Sequence, residues 1–214
     1  MLVMVSRDCE PPLAPRLTVD DLARTPDDGR RYELADGRLE VSAAPTGLHT
    51  RAEHRLGWLL TNAAPDEVFE VHAGPGVTLN DARTSHRVPD LAVIRTAEFT
   101  LPYQTRPPVL VVEVLSPESI FRDMQRKRDE YARFGIASYW IVNPSLEKPA
   151  VSVLRLDGGA YREAGQVYGT DVLETEESFP VRLVPEWLVA DGPWKAAIGG
   201  GADPAAGTGA VAEG

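Results

Sequence analysis

At 214 residues, 43% hydrophobic and 25% charged, the chain has the composition of a globular protein long enough to bury one substantial core. No apolar run approaches the roughly 18–20 residues needed to span a bilayer, and the LVMV stretch before Ser6, Arg7 and Asp8 is too short for a signal-peptide core. The lone Cys9 excludes an internal disulfide and a thiol-rich metal site, and a formal net charge of −10 argues against a dedicated high-affinity nucleic-acid binder, whose affinity normally comes from neutralising phosphates.

In chain order, residues 1–16 are Pro-rich and expected to be flexible. LTVDDLART predicts a short helix with Thr18 as its N-cap. RYELADGRLEVS predicts a β-hairpin, because Asp36-Gly37 is a favoured two-residue turn flanked by alternating apolar residues. From His49 to Asn62 the spacing of Ala52, Leu56, Leu59, Leu60 and Ala63 is helical. VFEVHAG and GVTLN follow as strands around Gly74-Pro75-Gly76, and DARTSHR reads as a loop. VPDLAVI and VLVVEVLS are the next two strands, joined by a Pro-rich connection from Leu101 to Pro108. SPES opens a helix ending near Phe134, where Gly135 suits the stop. SYWIVNP is an apolar strand, AVSVLRL and AYREAG form a closing hairpin, and VPEWL gives a last helical turn. The expected architecture is one α/β (α+β) domain over residues 17–190, followed by a disordered Gly/Ala-rich tail over 191–214.

Chemistry concentrates between Val88 and Tyr131. In VLVVEVLS both faces are apolar, which describes a central strand covered on both sides, yet Glu113 sits within it. Asp90 stands at the start of the preceding strand, after Pro89, on the face shared by Ala92 and Ile94. A carboxylate in such surroundings is costly unless it is paired or binds a cation. If the strands are neighbours, both acids open into one crevice, and oxygen ligation by carboxylates plus waters suits Mg²⁺ or Mn²⁺. The alternative is that each acid caps a turn or pairs with an arginine. On the following helix Ile120, Met124, Lys127, Tyr131 and Phe134 share one stripe, with Lys127 its sole charge, so the amine is expected to face the sheet and Glu113. An ion pair with Asp123, four residues earlier, is the competing reading, although surface pairs contribute under about 1 kcal/mol.

VPDLAVI, VLVVEVLSPES, the Asp123/Lys127 helix and YARFGIASYWIVNP together resemble the Uma-type family described as putative restriction endonucleases, within the PD-(D/E)XK nuclease-like superfamily. The resemblance covers about residues 18–190 and is most specific in EVLSP and YARFGIASYWIV. It implies a restriction-endonuclease-like mixed central sheet flanked by helices, with hairpins at both ends, and Mg²⁺- or Mn²⁺-dependent hydrolysis of DNA phosphodiesters. Asp90 matches the first superfamily acid and Glu113 the second, the two metal ligands. The lysine usually found two residues after the second acid is replaced by Leu115, and Lys127 takes that place from the helix. In this reading Lys127 orients the attacking water or stabilises transition-state charge, and Asp123 holds the ammonium.

Glu33 and His49 are further candidates for the site. Glu33 reads equally as a strand-surface acid, and His49 as a helix-start surface residue that Glu53, one turn on, would orient. Tyr139 and Trp140 read as core. Arg122, Arg126, Lys127, Arg128 and Arg133 form one basic cluster that fits either solvated surface or a phosphate contact. The expected protein is a cytoplasmic endonuclease acting on DNA, plausible as a homodimer because a double-strand cut needs two sites, with no membrane partner. Two other functions stand beside it: an inactive nucleic-acid or protein-interaction module on a nuclease-like scaffold, and a metal hydrolase of another phosphate ester.

Overall fold

A computed structural model describes residues 15–116 and 122–201, apart from the side chains of Arg122 and Asp123. The elements run α1 (Val19–Leu22), β1 (Arg31–Ala35), β2 (Arg38–Ser42), α2 (Gly47–Ala63), β3 (Phe69–Ala73), β4 (Val77–Thr78), β5 (His86–Arg87) and β6 (Leu91–Arg95). They continue with β7 (Leu110–Val114), α3 (Arg122–Phe134), β8 (Ser138–Asn143), β9 (Ala150–Asp157), β10 (Ala160–Tyr168), β11 (Leu173–Thr175), β12 (Val181–Leu183), α4 (Glu186–Val189) and α5 (Trp194–Ala197).

The central sheet has six strands in the order β10-β9-β8-β7-β6-β3. Only β7 and β8 pair in parallel; the other neighbours are antiparallel. A parallel pair needs a crossover, and α3 supplies it. Alternation along the strands sorts side chains to two cores. Leu91, Val93, Leu110, Val112 and Val114 pack with Ala52, Leu56 and Leu60 of α2 on one face. Ala92, Ile94 and Val111 pack with Tyr131 and Ala132 of α3 on the other. Glu113 shares parity with Val111 and therefore belongs to the α3 face. Tyr139 and Trp140 are buried in these two cores, one on each face, as the sequence predicts.

A second, four-stranded sheet runs β2-β1-β5-β4. The strand β5 corrects the expectation of a loop across DARTSHR: His86 pairs with Leu34 and Thr78, and Arg87 with Val77. Its two polar residues carry no strand signature, because they are stabilised by partners distant in sequence rather than by propensity. The chain passes from this sheet to the central one across Val88-Pro89-Asp90. Extending the β6–β7 register, in which Leu91 faces Val112, would put Pro89 opposite Val114. Proline cannot complete the ladder, and the Asp90 side chain does so instead: Val114 N–H donates to its Oδ2 at 2.7 Å.

The tail is the other correction. Of residues 191–214, expected to be disordered, 191–201 are described and contain α5; residues 202–214 lie outside the described part. Trp194 packs edge-on against Trp58 at 5.3 Å, and Ala197 and Ile198 are buried. The Gly/Ala-rich composition hid three apolar anchors placed just before the glycine run. At the other end, Arg16 of the expected flexible 1–16 segment pairs with Asp36 at 2.8 Å, while residues 1–14 are not described. The helix start expected at SPES falls on residues 117–121, outside the described part except for Ser116. At its far end α3 stops as expected. Gly135, at φ 93°, bonds its N–H to the carbonyls of Tyr131 and Ala132.

Candidate active site

The corner at Val88-Pro89-Asp90 is gripped from β1. Glu33 Oε1 accepts the Val88 N–H at 2.8 Å, and Arg31 Nη1 donates to the Val88 carbonyl at 3.1 Å and to Asp90 Oδ1 at 2.6 Å. Strand alternation explains why both reach it: residues 31 and 33 share one face of β1. Glu33 is therefore buried rather than a strand-surface acid.

Lys127 descends from α3 onto Glu113, as the apolar stripe predicts. Its Nζ lies 3.1 Å from both carboxylate oxygens of Glu113 and 3.4 Å from Glu33 Oε1. Tyr131, one turn further along α3, donates its hydroxyl to Glu113 Oε1 at 2.7 Å. Burial pushes the Glu113 carboxyl up to about 7, with Lys127 opposing and the Asp90 and Glu33 charges reinforcing the rise. The Tyr131 hydroxyl is raised well above its ordinary value, first by burial and then by the Glu113 charge.

Asp90 faces a different set of groups. Its Oδ2 is fixed by Val114 N–H, and its Oδ1 meets Arg31 and, at 3.2 Å, His49 Nε2 from the first turn of α2. Burial opposes ionisation of Asp90, but His49 and Arg31 outweigh it and hold its carboxyl below the usual range. Glu53 Oε2 lies 3.8 Å from the same Nε2. Burial lowers the His49 imidazole while the Asp90 and Glu53 carboxylates raise it, and the net shift is upward. Burial, reinforced by the Asp90 charge, raises the Glu53 carboxyl. Ligand atoms of His49, Glu53 and Asp90 all lie within 4.8 Å of one another. Neither ring nitrogen of His49 makes a hydrogen bond. A buried imidazole nitrogen that meets two carboxylates at ion-pair distance without completing a hydrogen bond is a donor set that fits a divalent cation.

The structure thus brings together Glu33, His49, Asp90, Glu113 and Lys127. The Asp123 side chain, expected to hold the ammonium, lies outside the described residues; among the described residues the Glu113 and Glu33 carboxylates lie beside the ammonium. Of the basic cluster's described side chains, Lys127 points inward, Arg126 pairs with Glu40 at 2.6 Å, Arg128 bonds the Tyr161 carbonyl and Arg133 the Asp129 carbonyl. Sequence reasoning missed Arg31, Arg87 and the hydroxyl of Tyr131. Arg87 is fully buried, gripping Glu130 with Nε and Nη2 and reaching Glu33 and Glu40 with Nη1. The same alternation that placed Glu33 near the site also places Arg31 there, and that signal was available.

No helix among the described residues is long and apolar enough to cross a membrane. No curated protein matches the chain in sequence. Among solved structures it is similar to a crystal structure from Anabaena variabilis described as a putative nuclease belonging to DUF820. The two share 15% identity and a TM-score of 0.59 over 74% of this chain and 89% of that one, a likeness that establishes the fold. The family model described as "Uma2: Putative restriction endonuclease" matches residues 19–190. Spanning both sheets, α2, α3 and every charged group of the site, that match makes the chain a member of the Uma2 family.

Proposed function

We propose that the chain is a divalent-metal-dependent endonuclease that hydrolyses DNA phosphodiester bonds. The observation that carries the reading is the Lys127 ammonium seated 3.1 Å from Glu113, a buried carboxylate that also feels the Asp90 charge. It answers the departure at Leu115: the amine is absent from the strand and arrives from α3. Asp90 and Glu113 are the two acids of the site and the residues proposed to hold Mg²⁺ or Mn²⁺. A bound cation would supply Lewis acidity toward a phosphate oxygen and toward water. Lys127 places its positive charge where negative charge develops on the phosphate, or orients the attacking water. Glu33 keeps the ammonium in place from the other side, and Tyr131 fixes the rotamer of Glu113. Water adds its oxygen to phosphorus as the bond to the leaving sugar oxygen breaks. A double-strand cut would require two such sites, which a homodimer supplies.

Incubating purified protein with supercoiled plasmid and Mg²⁺ or Mn²⁺ tests the reading. Nicking that disappears in Asp90→Ala and Glu113→Ala supports it. DNA binding that needs no metal, with no cleavage, identifies the inactive interaction module. Cleavage of bis(p-nitrophenyl) phosphate with DNA untouched identifies a hydrolase of a different phosphate ester.

A further inference from the structure

We infer that His49, with Glu53 and Asp90, gives the cation site a nitrogen donor, so that the chain takes Mn²⁺ or a later first-row divalent ion in preference to Mg²⁺. The inference rests on the hydrolytic reading for the presence of a divalent cation and deepens it by naming the ion's chemical class.

The imidazole is the key group. The His49 side chain is only 9% exposed, and neither of its nitrogens is hydrogen-bonded. A buried polar atom that completes no hydrogen bond is destabilising by about 1–3 kcal/mol, and the ion-pair contacts of Nε2 with two carboxylates mark where a cation would complete the set. The His49 backbone is anchored: Thr46 Oγ1 accepts its N–H at 3.3 Å, capping α2 where the side chain leaves the helix.

Nε2 is directed at oxygen. It lies 3.2 Å from Asp90 Oδ1 and 3.8 Å from Glu53 Oε2. Neighbouring ligand atoms in a six-coordinate shell with bonds of about 2.1 Å are about 3 Å apart. The three ligand atoms lie within 4.8 Å of one another, and Glu53, 20% exposed at its side chain, has room to close on the ion. Val114 N–H fixes the other oxygen of Asp90.

The donor set then selects the ion. Mg²⁺ takes oxygen ligands and surrenders its waters reluctantly, whereas imidazole is a better donor to first-row transition ions. Arg31 now neutralises the same Oδ1 from 2.6 Å. Its side chain is 28% exposed, so it can withdraw toward solvent, and loading of the site includes its displacement from that oxygen.

Isothermal titration of the chelator-treated full-length protein with MnCl₂ and with MgCl₂, together with pulsed electron paramagnetic resonance of bound Mn²⁺, tests this. The expected result is Mn²⁺ binding about tenfold or more tighter than Mg²⁺, the scale that loss of even one supporting group produces at metal sites. It includes a ¹⁴N coupling from one imidazole. His49→Ala should abolish that coupling and weaken Mn²⁺ by about tenfold, leaving Mg²⁺ nearly unchanged; His49→Gln serves where alanine unfolds the chain. Mn²⁺ bound to the wild type without nitrogen coupling, equal affinity for the two ions, or binding of neither overturns the inference whatever the variants do. Plasmid nicking that depends on Asp90 and Glu113 without nitrogen coupling leaves the nuclease reading intact and removes this one. Nitrogen-coupled Mn²⁺ with no cleavage of any phosphodiester does the reverse.

Discussion

Arg87 and Asp90 stand on either side of the same corner, and both are buried, yet their surroundings differ in kind. Around Arg87 the charges are closed: one guanidinium meets Glu130 as a two-bonded fork at 2.6 and 3.0 Å, and Glu33 and Glu40 fill its remaining face. Around Asp90 they are open: His49 sits within reach of two carboxylates but completes no hydrogen bond. A closed buried network behaves as a strut, since every charge already has its partner. An open one has capacity for a ligand. Proximity of acids alone would not have separated the two.

Breaking the strut should have the largest effect. Arg87→Met leaves three carboxylates without their shared cation, and urea unfolding should show a loss of about 3–5 kcal/mol. A loss below about 1 kcal/mol would mean that the network is not closed. Next is the functional side. Lys127→Met should lower the plasmid-nicking rate by about 10²–10³, equivalent to about 2.7–4 kcal/mol of transition-state stabilisation. An unchanged rate would remove the amine from the proposed chemistry.

A smaller effect tests the strut by pH. His86, beside Arg87, is driven down to about 4, first by burial. The unfolded chain, with His86 near 6.5, therefore binds more protons than the folded one between those values. Its contribution to stability is complete above pH 6.5 and is lost as the pH falls toward about 4, with a slope of up to about 1.4 kcal/mol per pH unit. Urea titrations of the wild type and His86→Gln across that window should differ by this slope; parallel curves would show that His86 is not held neutral. Smallest of all is the exposed Arg182–Glu174 pair at 3.0 Å, where Glu174→Gln should stay within about 0.5 kcal/mol of the wild type in thermal unfolding.

The legible parts of the molecule are those where a local pattern reports a local cause. The apolar faces of β6 and β7, the stripe that turns Lys127 inward, and the Asp36-Gly37 hairpin all follow from periodicity and turn chemistry. What stayed hidden depends on partners far along the chain. β5 is two polar residues stabilised between β1 and β4, and α5 owes its order to Trp58, more than a hundred residues before it. The site divides the same way. Asp90, Glu113 and Lys127 were readable because a charge in an apolar pattern is conspicuous. Arg31 and Arg87 lie among other polar residues and gain meaning only once β1 is folded against the corner. Glu53 was visible only as a neighbour of His49, since nothing local shows that Asp90 completes the trio.

The route by which the amine reaches Glu113 also bears on how such proteins are found. A lysine two positions after an acid on a strand belongs to that same strand; here the amine comes from α3, leaving an aliphatic side chain at position 115. Searches keyed to linear spacing would overlook any chain built this way. Screening by the three-dimensional arrangement of carboxylate and ammonium would recover it.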